Sequence, residues 1–467
     1  MAAQRGMTLA FTGNIYMEHS LSVCKDEGFL RAIELMRSVD ASFANLECSI
    51  RDGDEWPAFG SGMGWAGSYL GAPPSMVDDI KFLGITALYA ANNHAADFGE
   101  QGILATIKHL RRAGIPFSGI GASLEEASAP CYVATPRGRV AMICAADWGP
   151  RERMDLPFPW PAGYLPSDDG PWFPSRPGVN LLRYDATIHV DKEALDQLRR
   201  ISPALDWERP KISRREGGGQ HTQTLVGSSP LGWERDTETE FFFMGRKFAE
   251  SDEFKVSTFA YREDLDRLLK SVHDARRQAD VVVVGLHDQS HGQDVHDYVK
   301  ACAYGSIDAG ADIFMCTGGI PRGIEFYKGK AILHGTPGFC FQNTQVSHVP
   351  PSVLRRMGLP GDSSGADFVA RRADDHVRSE RAGGLGAHMP AGSGSMVQVV
   401  AFDEHRDVKE VRIYPIERTK GTQYAVPLLL DPGSELFERV LRETEERCEA
   451  FGTRLERRDG CGVIAAR

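Results

Sequence analysis

The sequence predicts an α/β fold on three observations. Short apolar runs alternate with amphipathic stretches through the first third of the chain, and polar residues collect directly after several of those runs. One run, Val281 to Leu286 (VVVVGL), is apolar enough to be a strand buried on both faces. A β-α-β-α order implies a largely parallel central sheet covered by helices. Ligands of such sheets gather in the loops at the carboxyl ends of the strands. At 467 residues, 42% hydrophobic and 25% charged, the chain has the composition of a folded globular protein with a large core.

Met7 to Thr12 (MTLAFT) is a short apolar run closed by Gly13, the pattern of a strand followed by a loop. Gly28 to Val39 has helical spacing, and Ala41 to Leu46 is a second strand. Pro74 to Phe82 forms a helix and Thr86 to Ala91 a third strand. Glu100 to Ala113 is amphipathic and ends at Gly114, a residue suited to a helix C-terminus. Cys131 to Ala134 and Val140 to Ala145 flank Pro136-Arg137-Gly138 as a hairpin. Farther on, Asp191 to Ile201, Tyr261 to Arg277 and His296 to Ala309 read as helices, and Ile313 to Cys316 as a strand. Two late strands, Met396 to Phe402 and Val408 to Ile413, precede a C-terminal helix at about 434–451. Three stretches, about 148–183, 209–250 and 345–394, lack periodicity and read as insertions in one domain spanning 1–467. The first is dense in Pro, Trp and Phe, as in a self-packed surface loop or a lid over a partly aromatic substrate.

The formal net charge of -11 argues against broad nucleic-acid binding and against docking on anionic membranes. Nine cysteines with no C-x-x-C pair read as reduced thiols, and Cys316 lacks a specific activating partner, which favours a buried thiol over a nucleophile. The N-terminal run MAAQRGMTLAFTGN has no apolar signal-peptide core, and no segment has the length of a spanning helix. The expectation is a cytoplasmic protein with a small-molecule substrate. The sequence leaves a homo-oligomer open.

Polar clusters follow four of the strands, at Gly13-Asn14, Asn45-Leu46-Glu47, Asn92-Asn93-His94 and from His287 onward. Carboxylate, imidazole and amide donors brought together from separate loops are the means of holding a divalent cation. Glu47, Asn93, His94 and His287 are the nominees. A histidine at a strand end also protonates leaving groups, or is simply satisfied by backbone partners.

The run NNHAADFGEQGILATIKHLRRAGIPFSGIG (Asn92 to Gly121) resembles the central motif of the CapA (poly-gamma-glutamate capsule biosynthesis) family. LAFTGNIYM, SFANLECSI, ADVVVVGLH, IDAGADIF and GIEFYKGKAIL resemble further family stretches in the right order. The likeness covers about residues 7–145 and 255–343. It implies a calcineurin-like metallophosphoesterase fold, a four-layer α-β-β-α sandwich with long loop insertions and a metal site at the strand ends. It also implies a divalent ion (Mn, Zn, Mg or Fe) held by Glu47, Asn93, His94 and His287, with Asn14 beside them. This chain departs from the family pattern at three places. Asn14 stands where the family has Asp, His287-Asp288-Gln289-Ser290-His291 replaces His-x-Gly-x-Glu, and Thr317-Gly318-Gly319-Ile320-Pro321-Arg322 lacks both late histidines. These changes put a dinuclear centre in doubt and leave one ion or none.

The expected activity is that of a metal-assisted hydrolase or lyase. His94, His287 and His291 would move protons or bind metal, and Arg322 would orient an anionic group. Asn14, Glu18, His19, Trp148 and His334 would line the substrate. The alternatives are a protein that makes or cuts a γ-linked glutamate polymer, and a non-catalytic binding protein on a degenerated fold.

Overall fold

The computed structural model describes residues 6–58, 69–149, 176–206, 236–244, 246–289, 294–318, 321–343, 346, 349, 351–371, 394–418 and 425–466. Two ten-stranded mixed sheets lie among these residues. The heart of the first is parallel: Thr8–Tyr16 pairs with Ala41–Leu46, which pairs with Ala87–Tyr89. Gly394–Phe402 and Val408–Arg418 extend it antiparallel, and a hairpin of Leu455–Arg458 and Cys461–Ala465 closes that side. The heart of the second is also parallel, through Gly138–Trp148, Val281–His287, Ile313–Thr317 and Lys330–Thr336.

Side-chain alternation along these strands sorts the residues into layers. Phe11, Phe43 and Tyr89 from the first sheet meet Met142, Val281, Val283 and Met315 from the second in one core between the sheets. Phe11 and Phe43 stack there with ring centroids 5.2 Å apart. The outer face of the first sheet, with Ala10, Ala44 and Leu88, is covered by the helices Glu27–Ser38 and Met76–Phe82. The outer face of the second, with Val282, Val284 and Leu286, is covered by Arg262–Arg276 and Asp297–Asp308. The result is the four-layer α-β-β-α sandwich. The parallel pairing expected of one central sheet is instead divided between two sheets, each with antiparallel additions.

The elements expected in the first third fall where their periodicity put them. The helix Gly99–Ala113 ends on Gly114 in the left-handed conformation, φ 69°, where the missing Cβ avoids the usual clash. Sequence analysis passed over Leu181–Val190, which begins inside the first proposed insertion and pairs with the end of Gly138–Trp148. It also passed over Glu240–Phe243 and Arg246–Glu250, inside the second. All nine cysteines are free thiols. Cys316 is buried, and burial first, then the neighbouring Asp288, pushes its thiol well up, so it is an inert core residue.

Candidate functional site

Strand alternation carries the polar residues to one pole between the sheets. Asn45 and Glu47 continue the inward parity of Phe43, while His287 continues that of Val281 and Val283, and Thr317 that of Met315. His287 Nε2 lies 3.7 Å from Glu47 Oε1 and 2.9 Å from Asn93 Oδ1. Its Nδ1 lies 2.9 Å from Thr317 Oγ1 and 3.5 Å from the Asn45 amide nitrogen. The Thr317 hydroxyl as donor at Nδ1, with oxygen acceptors at Nε2, favours the tautomer that carries its proton on Nε2. The Gln289 amide nitrogen, 3.2 Å from Nε2, is then a packing neighbour.

Asn45 is the hub of this pole. Its amide donates to Asn14 Oδ1 at 2.9 Å and to the Glu47 carboxylate, and its own oxygen accepts from Asn92 at 3.2 Å. Asn92 also donates to Leu46 O and receives the His94 backbone N–H at 3.0 Å, which fixes the turn that presents His94. His94 Nδ1 is 2.7 Å from Oδ2 of Asp97, a fully buried carboxylate that also accepts the Leu70 N–H at 2.8 Å. That pairing places the Nδ1 proton toward Asp97 and the ring lone pair on Nε2. Burial pushes the Glu47 carboxyl up to about 7, against the pull of nearby His94 and of the Asn45 amide, and Asp97 adds to the rise.

The other nominees lie elsewhere. Glu18 and His19 are tied by their backbone N–H groups to Gln342 Oε1, both at 2.8 Å, and Glu18 lines an open cavity beside the pole. Trp148 is half-buried at the end of its strand, packed on the core between the sheets and on the same face as Ala146, which pairs with His287. His334 has the opposite parity. It faces the outer side of the second sheet, 2.8 Å from Glu325 and stacked on Phe451 at 4.5 Å. Arg322 is buried and donates to Asp288 Oδ2 at 2.9 Å, so its charge is engaged within the protein rather than presented to a substrate anion. Tyr298 OH lies 3.0 Å from both Asp288 and Asp147, which completes a polar cluster on that outer face. His291 lies outside the described residues.

Sequence reasoning gave no role to Asn45, Asn92, Asp97 or Thr317. Asp97 stood in the quoted motif three residues after His94, and that spacing was the available signal. Asn45 and Asn92 stood in the polar clusters after their strands, and Thr317 carried no signal beyond its parity with Met315.

Residues 8–343 match the family of the bacterial capsule synthesis protein PGA_cap. The chain belongs to this family. Two relatives, the uncharacterized proteins y4sH and y4uA of Sinorhizobium fredii (strain NBRC 101917 / NGR234), are each 29% identical over 98% of this chain and 93% of their own length. Among solved structures, the chain is similar to the "Putative 5'-Nucleotidase from Staphylococcus aureus in complex with alpha-ketoglutarate", with a TM-score of 0.35 and 11% identity. That match takes in 94% of this chain and spans 58% of the other.

The metallophosphoesterase resemblance implies a divalent ion, and the donors described here do not fit one. Among the described residues no group of three or more His, Cys, Asp or Glu side chains is arranged to hold a metal. Asn14 supplies a neutral amide whose oxygen is already accepting from Asn45. His287 turns its lone pair to Thr317 and its N–H toward Asn93 and Glu47. Gly318 packs against that same imidazole, and Arg322, at the place of a late family histidine, is held by Asp288.

Proposed function

We propose that this PGA_cap protein is a hydrolase or lyase of a small anionic molecule, working by acid–base chemistry at the pole where Glu47, Asn93, His94 and His287 meet. The observation that carries the reading is the buried Asp97–His94 pair, with a 2.7 Å contact at Nδ1, set beside a second carboxylate and a second imidazole. A carboxylate on one ring nitrogen orients the other as a general base. In hydrolysis, His94 Nε2 takes a proton from water, the water oxygen bonds to the electrophilic centre, and the leaving group departs with a returned proton. In elimination the same nitrogen takes its proton from carbon, the freed electron pair forms a double bond to the neighbouring carbon, and the group on that carbon leaves with the returned proton. The amide nitrogen of Asn93 supplies a fixed dipole where negative charge develops, while Asn45 and His287 hold Glu47 and Asn93 in place. The net charge of -11 favours a small molecule over nucleic acid as the substrate. The nine free thiols fit a reducing, cytoplasmic setting. Among the described residues no helix is long and apolar enough to cross a membrane.

A second reading follows the family description: an enzyme that makes or cuts the capsule polymer. Chromogenic phosphate, ester and γ-glutamyl anilide probes, and poly-gamma-glutamate itself, separate the two. The test is turnover of these probes with and without a chelator, in wild type and in His94→Asn, alongside metal analysis of the purified chain. The reading expects chelator-resistant turnover that falls about 10²-fold or more in His94→Asn. A stoichiometric bound metal required for turnover would replace it with the metal-assisted scheme. Full activity in His94→Asn would remove the site altogether.

A further inference from the structure

Beside the pole lies an open cavity of about 360 Å³ that is lined by Tyr16, Glu18, Arg51, Asp52, Tyr69 and Phe98, among others. That volume falls within the range of small-molecule sites. Its walls adjoin the proposed centre. Phe98 follows Asp97 in the chain, and Tyr69 precedes Leu70, whose N–H donates to the Asp97 carboxylate. Burial first, then the Asp97 charge, pushes the Tyr69 hydroxyl up to about 12.

Phe98 fixes the two groups on which recognition turns. The Arg51 guanidinium lies 4.5 Å from the centroid of its ring, and the Tyr69 ring lies 6.0 Å away, tilted by 53°. One aromatic ring therefore separates the cation from Tyr69. Gly71 makes the stacking sterically feasible, since a Cβ there would lie 2.8 Å from Arg51 Nε and from two Phe98 ring atoms. Tyr69 is tethered at its far end, where its OH donates to Ala58 O at 3.1 Å. Among the described residues Arg51 is the one cationic side chain in the lining. Its side chain makes a single hydrogen bond, to Glu55 O at a long 3.4 Å, and no carboxylate among the described residues pairs with it. The adjoining stretch 59–68 contains no acidic residue. A planar guanidinium held on an aromatic face without a counter-ion matches a carboxylate through two parallel N–H···O bonds. The two acids of the lining have other partners. Asp52 is bound by Lys108 and by His109, and Glu18 accepts from Tyr16 OH at 2.9 Å. Their negative potential disfavours a second charge on the ligand, so a singly charged anion suits this cavity better than a dianion.

We propose that this cavity binds a monocarboxylate with an apolar body, the carboxylate on Arg51 and the body against Tyr69. This names the ligand class of the site described above, and rests on that reading only for calling the ligand a substrate. The test is calorimetric titration of the full chain at neutral pH with three probes of one shape. These are 3-phenylpropionate, its neutral amide 3-phenylpropanamide, and 2-phenylethyl phosphate, which carries close to two charges. The carboxylate binds saturably, the amide and the phosphate bind about tenfold or more weakly, and Arg51→Met weakens carboxylate binding by about tenfold or more. The proposal is overturned if 3-phenylpropionate does not bind, if the amide or the phosphate binds as well as it does, or if Arg51→Met binds it as wild type does. The probe comparison needs no variant to fold. His94→Asn binds 3-phenylpropionate unchanged on this account, so failure of the binding proposal and failure of the acid–base reading register in separate measurements.

Discussion

Single residues at this pole set the direction of a lone pair. Asp97 is buried beside His94 and leaves its Oδ1 without a hydrogen-bond partner, so the one strong contact it makes with an imidazole decides the tautomer. Asp97→Asn exchanges a carboxylate for an amide that has both donor and acceptor ends, and the His94 proton is no longer directed to Nδ1. Turnover should fall about 10²-fold with little change in KM, read by steady-state kinetics on whichever chromogenic probe the wild type cleaves. Gly318 is the second sensitive position. It has φ 88°, and a Cβ there would sit 2.5 Å from His287 Cε1. Gly318→Ala should cost about 1–3 kcal/mol in denaturant unfolding and displace the imidazole, lowering turnover as well. Arg322 belongs to the scaffold. Arg322→Met leaves Asp288 buried without its cation, and a loss of about 3–5 kcal/mol is expected, with part of it recovered when Asp288→Asn is added.

Elements carry these residues to the pole, and how they do so explains what the sequence made legible. The turn from Asn92 to Phe98 is braced by the helix Gly99–Ala113, which is tied to the short strand Ser49–Ile50 by one hydroxyl. Thr106 Oγ1 accepts the Ile50 N–H at 2.9 Å and donates to Gly102 O at 2.8 Å. Thr106→Val keeps the shape and leaves that buried N–H unpaired. The expected cost is about 1–3 kcal/mol in chemical denaturation, with the pole intact. Elements with strong periodicity, such as Glu100 to Ala113 and the VVVVGL strand, were readable because each buries a continuous face. Leu181–Val190 was not, because its burial alternates irregularly and it follows a Pro- and Trp-rich stretch that hides its start. Glu240–Phe243 and Arg246–Glu250 are short strands whose pairing is set by distant partners, and local pattern carries no record of that. At the site, residue types were legible while hydrogen-bond partners were not. Nothing in the spacing from Asn45 to His287 says that an amide stands between Asn14, Glu47 and an imidazole. The parity that turns His334 outward shows only once its strand is placed in the second sheet.

On the scale of the whole molecule, two sheets pressed together leave their far edges to be held by charge. Glu410 joins the strand Val408–Arg418 to the C-terminal hairpin through Arg458, and pairs with Arg412 of its own strand at 2.7 Å. Burial alone would raise its carboxyl, but hydrogen bonds from and the charges of Arg412 and Arg458 hold it below the usual carboxylate range. A depressed carboxyl stabilises the fold above its unfolded value, and that contribution disappears as pH falls through the lower folded value. Stability should therefore decline in acid below about pH 4, and Glu410→Gln should flatten that part of the pH–stability curve, as read by thermal melts from pH 3 to 7.

The opposite orientation of two imidazoles at one pole is the claim on which the chemistry depends. The most direct measurement is 15N NMR of the histidine-labelled chain, with His94 and His287 assigned through His94→Asn and His287→Asn, before and after addition of zinc. The account predicts that neutral His94 carries its proton on Nδ1 and neutral His287 on Nε2, and that zinc leaves both patterns in place. Both rings showing a zinc-bound nitrogen on addition of one equivalent would contradict it.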